Sequence, residues 1–148
     1  VTIYANHSWN DPSDYEIKVK AKDINGSESQ WSEPHLIHII KGPFLEIQQI
    51  NGGLFTVDVL IRNLGEIEAL NVSWSIKLEG GIILLGRKTT GLISCIQPAN
   101  EHLVKSIPIF GFGEVIVTAK AEIPKNADEK TNSGFVYIFY IKVNPGDG

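Results

Sequence analysis

The sequence predicts an all-β chain folded as an antiparallel β-sandwich, and three observations carry that expectation. First, two alternating runs lie between residues 54 and 78. Phe55, Val57, Val59 and Ile61 share one face of the first run, and Thr56, Asp58 and Arg62 share the other. In the second, Leu70, Val72, Trp74, Ile76 and Leu78 point one way and Asn71, Ser73, Ser75 and Lys77 the other. A period of two sets one face on a core and one in water, as in antiparallel sheets. Second, apolar spacing at i, i+3, i+4 and i+7 is nowhere sustained beyond about two turns, so no helix is expected. Third, short candidate strands recur with turn residues between them, which favours a sandwich over an α/β fold.

Taken in order, strands are expected near 2–8, 15–22, 35–40, 44–50, 54–63, 69–78, 82–86, 90–96, 102–109, 113–123 and 134–143. Turn chemistry separates them: Asn10-Asp11-Pro12, Asn25-Gly26, Asn51-Gly52-Gly53, Asn63-Leu64-Gly65-Glu66, Gly80-Gly81, and Gly111 with Gly113. The stretch from Lys125 to Asn132 reads as a polar loop in which Asp128 and Glu129 are solvated charges. Phe135 to Ile141 is apolar on both faces, which suits a central strand or one whose outer face meets a partner.

Lys41-Gly42-Pro43 reads as a domain joint, because proline fixes φ and removes a donor while glycine lets the chain turn. Residues 42–148 are then long enough for a complete sandwich. Residues 1–41 supply three strands, too few to enclose a core, and are expected to be a partial β module. The sequence lacks methionine, so the chain is expected to be a mature or excised segment of a longer protein.

Composition narrows function. A net charge of −4 with interspersed signs lacks the basic footprint of a nucleic-acid binder. No apolar run approaches the roughly 20 residues of a membrane helix, so no transmembrane segment is expected. The single Cys95 forms no internal disulfide and reads as a small buried hydrophobe on an apolar strand. Among His7, His35, His38 and His102, only His35 and His38 are close, and on a strand an i, i+3 pair points to opposite faces. Asp11, Asp14, Asp23 and Asn25 offer oxygens, but such residues ordinarily cap their own turns. Ser27, Ser29 and Ser32 lack a His and an acid at hydrolase spacing. The reading is a non-enzymatic chain with no catalytic residue, no cofactor and no metal site.

Three Asn-X-Ser sequons mark candidate glycosylation sites at Asn6, Asn25 and Asn71. Asn25 falls at a hairpin tip and Asn71 on the polar face of its strand, where a bulky glycan leaves the core undisturbed.

These residues carry two family resemblances. Tyr15 to Asp23, then Asn25-Gly26, then Ser29-Gln30-Trp31-Ser32-Glu33-Pro34 resemble the last two strands of fibronectin type III or PKD modules. Residues 44–148 resemble the CARDB-like, immunoglobulin-like modules of prokaryotic cell-surface proteins. The matching pieces are Val57 to Asn63, Gly65-Glu66, Ala69-Leu70-Asn71-Val72, and Gly80-Gly81-Ile82 leading to Pro98. Gly111-Phe112-Gly113 followed by Val115-Ile116-Val117-Thr118-Ala119 closes the match. The resemblance implies an extracellular or cell-surface location and a structural, adhesive or assembly role.

The expected partners are other copies of the chain, other surface proteins, and glycans. Uncovered strands in residues 1–40 would pair with another copy by β-augmentation, a head-to-tail contact that grows into a filament. The competing reading is an accessory domain, carbohydrate-binding or spacer, of a secreted or surface enzyme. A carbohydrate platform needs exposed aromatics, for which Trp9 and Trp31 are candidates.

Overall fold

The computed structural model describes residues 7, 9, 11, 13–39 and 42–145, and every regular element among them is a β-strand. The chain divides into two compact units, Val1–Lys41 and Gly42–Gly148. Most of the expected strand 2–8, Asn6 included, lies outside the described residues.

In the first unit β1 (Asp14–Ile17) pairs antiparallel with β2 (His35–His38), with Tyr15 opposite Ile37. The strand expected over 15–22 stops early because serine hydroxyls take the place of ladder carbonyls. Val19 N donates to Ser32 Oγ at 3.0 Å and Ala21 N to Ser29 Oγ at 2.9 Å. No described residue of this unit is buried.

The second unit comprises β3 (Leu45–Gly52), β4 (Val57–Asn63), β5 (Ala69–Leu85), β6 (Lys88–Ile96), β7 (Glu101–Lys105), β8 (Phe110–Ile123), β9 (Asn126–Ile138) and β10 (Tyr140–Val143). They form an antiparallel sandwich: a three-stranded sheet ordered β3-β4-β7 and a five-stranded sheet ordered β10-β9-β8-β5-β6. Val57, Val59 and Ile61 from the small sheet share one buried cluster with Val72, Ile76 and Val117 from the large one.

Five of the eight residues expected to face inward, Val57, Val59, Ile61, Val72 and Ile76, are buried, and Trp74 is partly buried against the same core. Phe55 and Leu70 are not core, being 46% and 51% exposed. Phe55 precedes β4 at φ 66°, so the inward alternation starts only at Val57. Asn71 at φ 52° interrupts the pleat after Leu70, so Ala69 is buried instead. The paired strand changes face at the same level, with Ile93 and Ile96 both buried. Cys95 is consequently half-buried rather than a core hydrophobe, with Gln97 Nε2 3.0 Å from its sulfur.

Trp74 lies opposite Gly91 on the edge strand β6, where a Cβ would fall 2.4 Å from the indole. The ring covers the space that a larger residue would fill, an aromatic rescue of an edge glycine. Gly80 and Gly81 are not a turn between two strands but a β-bulge inside one long strand. Both take positive φ, 89° and 51°, and the β5–β8 register shifts there. Gly111 and Gly113 likewise lie within β8 rather than at a turn.

The polar loop expected over 125–132 is instead the first half of β9, joined to β8 by a tight hairpin in which Ile123 pairs with Asn126. Its inward residues Asn126, Asp128 and Lys130 serve the unpaired edge of β3. Leu45 N donates to Asn126 Oδ1 at 2.8 Å and Ile47 N to Asp128 Oδ2 at 2.6 Å. The β3–β4 register shifts between Ile47 and Gln49, and Lys130 Nζ donates to the Gln48 carbonyl at 2.9 Å. Asp128 is therefore a half-buried structural acceptor, not a solvated charge.

Asn63 is fully buried, and its amide satisfies four backbone groups. Oδ1 accepts from Phe44 N at 3.1 Å and Gly65 N at 3.0 Å. Nδ2 donates to Ile67 O at 2.8 Å and Ile96 O at 3.0 Å.

Asn63→Ala should orphan the buried Ile96 carbonyl and three partly buried groups, lowering unfolding free energy by about 2–3 kcal/mol in a urea titration. An unchanged midpoint would show that the knot is dispensable. Asp128→Ala should cost about 1–2 kcal/mol by leaving the Ile47 amide without its acceptor. A loss below about 0.3 kcal/mol in the same titration would return Asp128 to the solvated-charge reading.

Candidate interaction surface

The outer face of the five-stranded sheet changes character along its strands. At one end it is polar. Lys120 pairs with Glu122, Lys77 Nζ lies 2.8 Å from Glu79, and Thr118 faces Thr131. The hydrogen bond from Lys120 to Glu122, and then the charge of that carboxylate, raise the Lys120 pKa above its ordinary value.

At the other end the strand register aligns apolar side chains across four strands. Tyr140 pairs with Tyr137, Tyr137 with Phe112, and Phe112 with Ile82. Because Val136 and Ile141 are buried, the residues paired beside them face outward. Phe110 opposite Leu85 extends the row, and Ile116 and Phe135 continue it toward the polar end. Exposure of these side chains runs from 44% at Phe110 to 68% at Ile82, while Phe135 is half-buried. Singly exposed apolar residues are ordinary, but a contiguous set of this size marks an interaction surface.

Charges border the patch asymmetrically. Lys142 lies opposite Phe135 on the β10 side, whereas Glu114 and Glu79 lie on the β8 and β5 side. Together with Phe135 and Tyr137 these residues line a shallow groove of about 600 Å³. Phe112 stands edge-on to Phe135 at 89°, and Phe135 is tilted 33° from Tyr137. The rings therefore interlock with one another and do not form a coplanar stacking platform.

The adjoining turn is built at a conformational cost. Ile138 and Phe139 form the two-residue β9–β10 hairpin, and with positive φ at its first residue alone this is a turn whose first position favours glycine. Ile138 is held at φ 63°, strained for a β-branched residue. Phe55, also left-handed, donates its amide to Phe139 O at 2.6 Å and stacks on the Phe139 ring at 5.1 Å. Strain of this kind costs on the order of 1–3 kcal/mol per residue, offset here by neighbouring contacts.

The other candidate residues do not converge. Asn25 and Asn71 are exposed, and Asn6 is outside the described residues. Asp23 Oδ1 accepts from Asn25 N and Ser27 N, so it caps its own turn. His38 pairs with Asp14, and among the described residues no group of three or more His, Cys, Asp or Glu is placed to hold a metal. Trp31 is 59% exposed with Lys20 Nζ 5.0 Å from its ring centroid, whereas Trp9 packs against His7 and Tyr15. Among the described residues no helix is long and apolar enough to cross a membrane.

The aromatic row is the feature that sequence reasoning left unassembled. Its signal was present in Phe135 to Ile141, apolar on both faces, and in Phe110 and Phe112 alternating with glycines. Compared with known proteins, the chain matches no protein-family model and no curated sequence.

Ile138→Gly should relieve the left-handed strain and raise stability by about 1 kcal/mol, read as a higher denaturation midpoint. A lower midpoint would mean that the isoleucine side chain contributes more by packing than its backbone costs.

Proposed function

We propose that the chain is a non-enzymatic structural, adhesive or assembly module of an extracellular or cell-surface protein. The observation that carries this reading is the aromatic end of the outer sheet face, together with the strained, apolar hairpin beside it. A strained turn that displays isoleucine and phenylalanine to solvent is disfavoured by stability alone, whereas a surface that meets a partner accounts for it. The resemblance of residues 44–148 to CARDB-like, immunoglobulin-like modules, and of residues 1–41 to the end of a fibronectin type III or PKD module, points the same way. Glycans at Asn25 and Asn71 are compatible with that location, since both residues are exposed. In this reading the first unit supplies pairing edges for growth into a filament.

Two measurements on material from the native source test the reading. Brief protease treatment of intact cells should cleave the chain, and cleavage seen only after lysis would overturn the extracellular placement. Ser73→Ala removes the Asn71 sequon while keeping asparagine at its left-handed position, and should lower the intact mass by one glycan. An unchanged mass retires glycosylation at that site.

A further inference from the structure

We propose that the aromatic outer face of the five-stranded sheet is a two-fold interface with a second copy of this chain; the proposal rests on the assembly reading and specifies its partner.

Area is the first argument. The seven outward side chains Ile82, Leu85, Phe110, Phe112, Ile116, Tyr137 and Tyr140 are each 44–68% exposed. At about 150–250 Å² for a large side chain, that amounts to roughly 550–900 Å². The largest patch on an ordinary monomer is about 300–600 Å², whereas each partner of a standard interface contributes about 800 Å². The face therefore carries one partner's share of a stable interface.

The second argument is self-complementarity. Consider a two-fold axis in the plane of the contact, parallel to the strands and between β8 and β9. It places β9 over β8 of the second copy and β10 over β5. Tyr137 then meets Phe112, and Tyr140 meets Ile82, because all four share one register row. The same operation carries Lys142 to the side of the second copy that bears Glu114, with Glu79, already paired with Lys77, beyond it. Aromatic meets aromatic and cation meets carboxylate, twice over. A heterologous partner would have to supply this charge asymmetry in reverse, which a second copy does by symmetry. An isologous contact closes at two subunits, unlike head-to-tail growth through the first unit.

Sedimentation equilibrium on the full chain distinguishes the outcomes. The expected mass first reaches a plateau at twice 16.3 kDa, below the concentration at which head-to-tail growth through the first unit sets in. Tyr137→Glu should yield a folded monomer, with the far-ultraviolet dichroism retained. Lys142→Glu and Glu114→Lys should each weaken the dimer about tenfold or more, and combining them in one chain should restore it to within about threefold. The charge variants keep the test decisive if Tyr137→Glu does not fold. A monomer at about 100 μM, or a dimer indifferent to Tyr137→Glu, overturns the interface. Single-variant losses without recovery in the double variant overturn the two-fold register. Open-ended growth without that plateau, left intact by Tyr137→Glu, also overturns this interface while leaving the assembly reading standing, and the intact-cell protease experiment judges that reading separately.

Discussion

The buried amide of Asn63 holds together two of the three places where the chain passes from one sheet to the other. It ties the start of β3 through Phe44, the β4–β5 turn through Gly65 and Ile67, and the end of β6 through Ile96. The Asn63 backbone adds bonds to Ala99 and Asn100 in the β6–β7 connection. A hydrophobe of the same volume would leave four backbone groups without these partners, one of them buried and three partly buried, and the buried omission is the most costly. The two sheets can slide neither along nor across one another without breaking this set. The aromatic register of the outer face is set separately, by the backbone ladders within the five-stranded sheet.

The opposite margin of the sandwich is closed by different means. Near Gly53 the backbone does the work, with Ile141 N donating to Gly53 O and Phe55 N to Phe139 O. Farther along, β10 no longer flanks β9, and side chains of β9 reach the β3 edge instead. Asparagine, aspartate and lysine at every second position match the period of a strand, so each inward residue meets the next free backbone group. An edge covered in this way offers little to an incoming strand. Polar residues on an inward face, ordinarily a liability, here replace a missing ninth strand.

Period-two alternation made Val57, Val59, Ile61, Val72 and Ile76 legible as core, and the all-β class with them. Its failures share a physical origin. Phe55 is itself left-handed and Leu70 precedes left-handed Asn71; asparagine tolerates such a φ better than most residues but does not require it, and phenylalanine gives no sign of it. The first half of β9 was invisible because its inward positions are hydrophilic, so hydropathy read a loop where register required a strand. Gly80-Gly81 looked like punctuation because a bulge and a turn use the same residue. The aromatic surface could not be assembled in advance, since Tyr140, Tyr137, Phe112 and Ile82 become neighbours only through pairing across four strands. Local pattern fixes which residues face a core; it does not determine which distant residues share a row.

The side-chain rungs between β9 and β3 also order the unit by local stability. Backbone ladders open cooperatively, because each rung holds its neighbours in place, whereas rungs built from separate side chains let go one at a time. The edge amides of Leu45 and Ile47 therefore belong to a looser layer than the amides at the centre of β5 and β8, which are bonded on both sides by strands. In hydrogen-exchange terms the β3 edge opens before the centre of the five-stranded sheet. The outer aromatic face lies on the slower layer, so its alignment outlasts transient opening of the β3 edge.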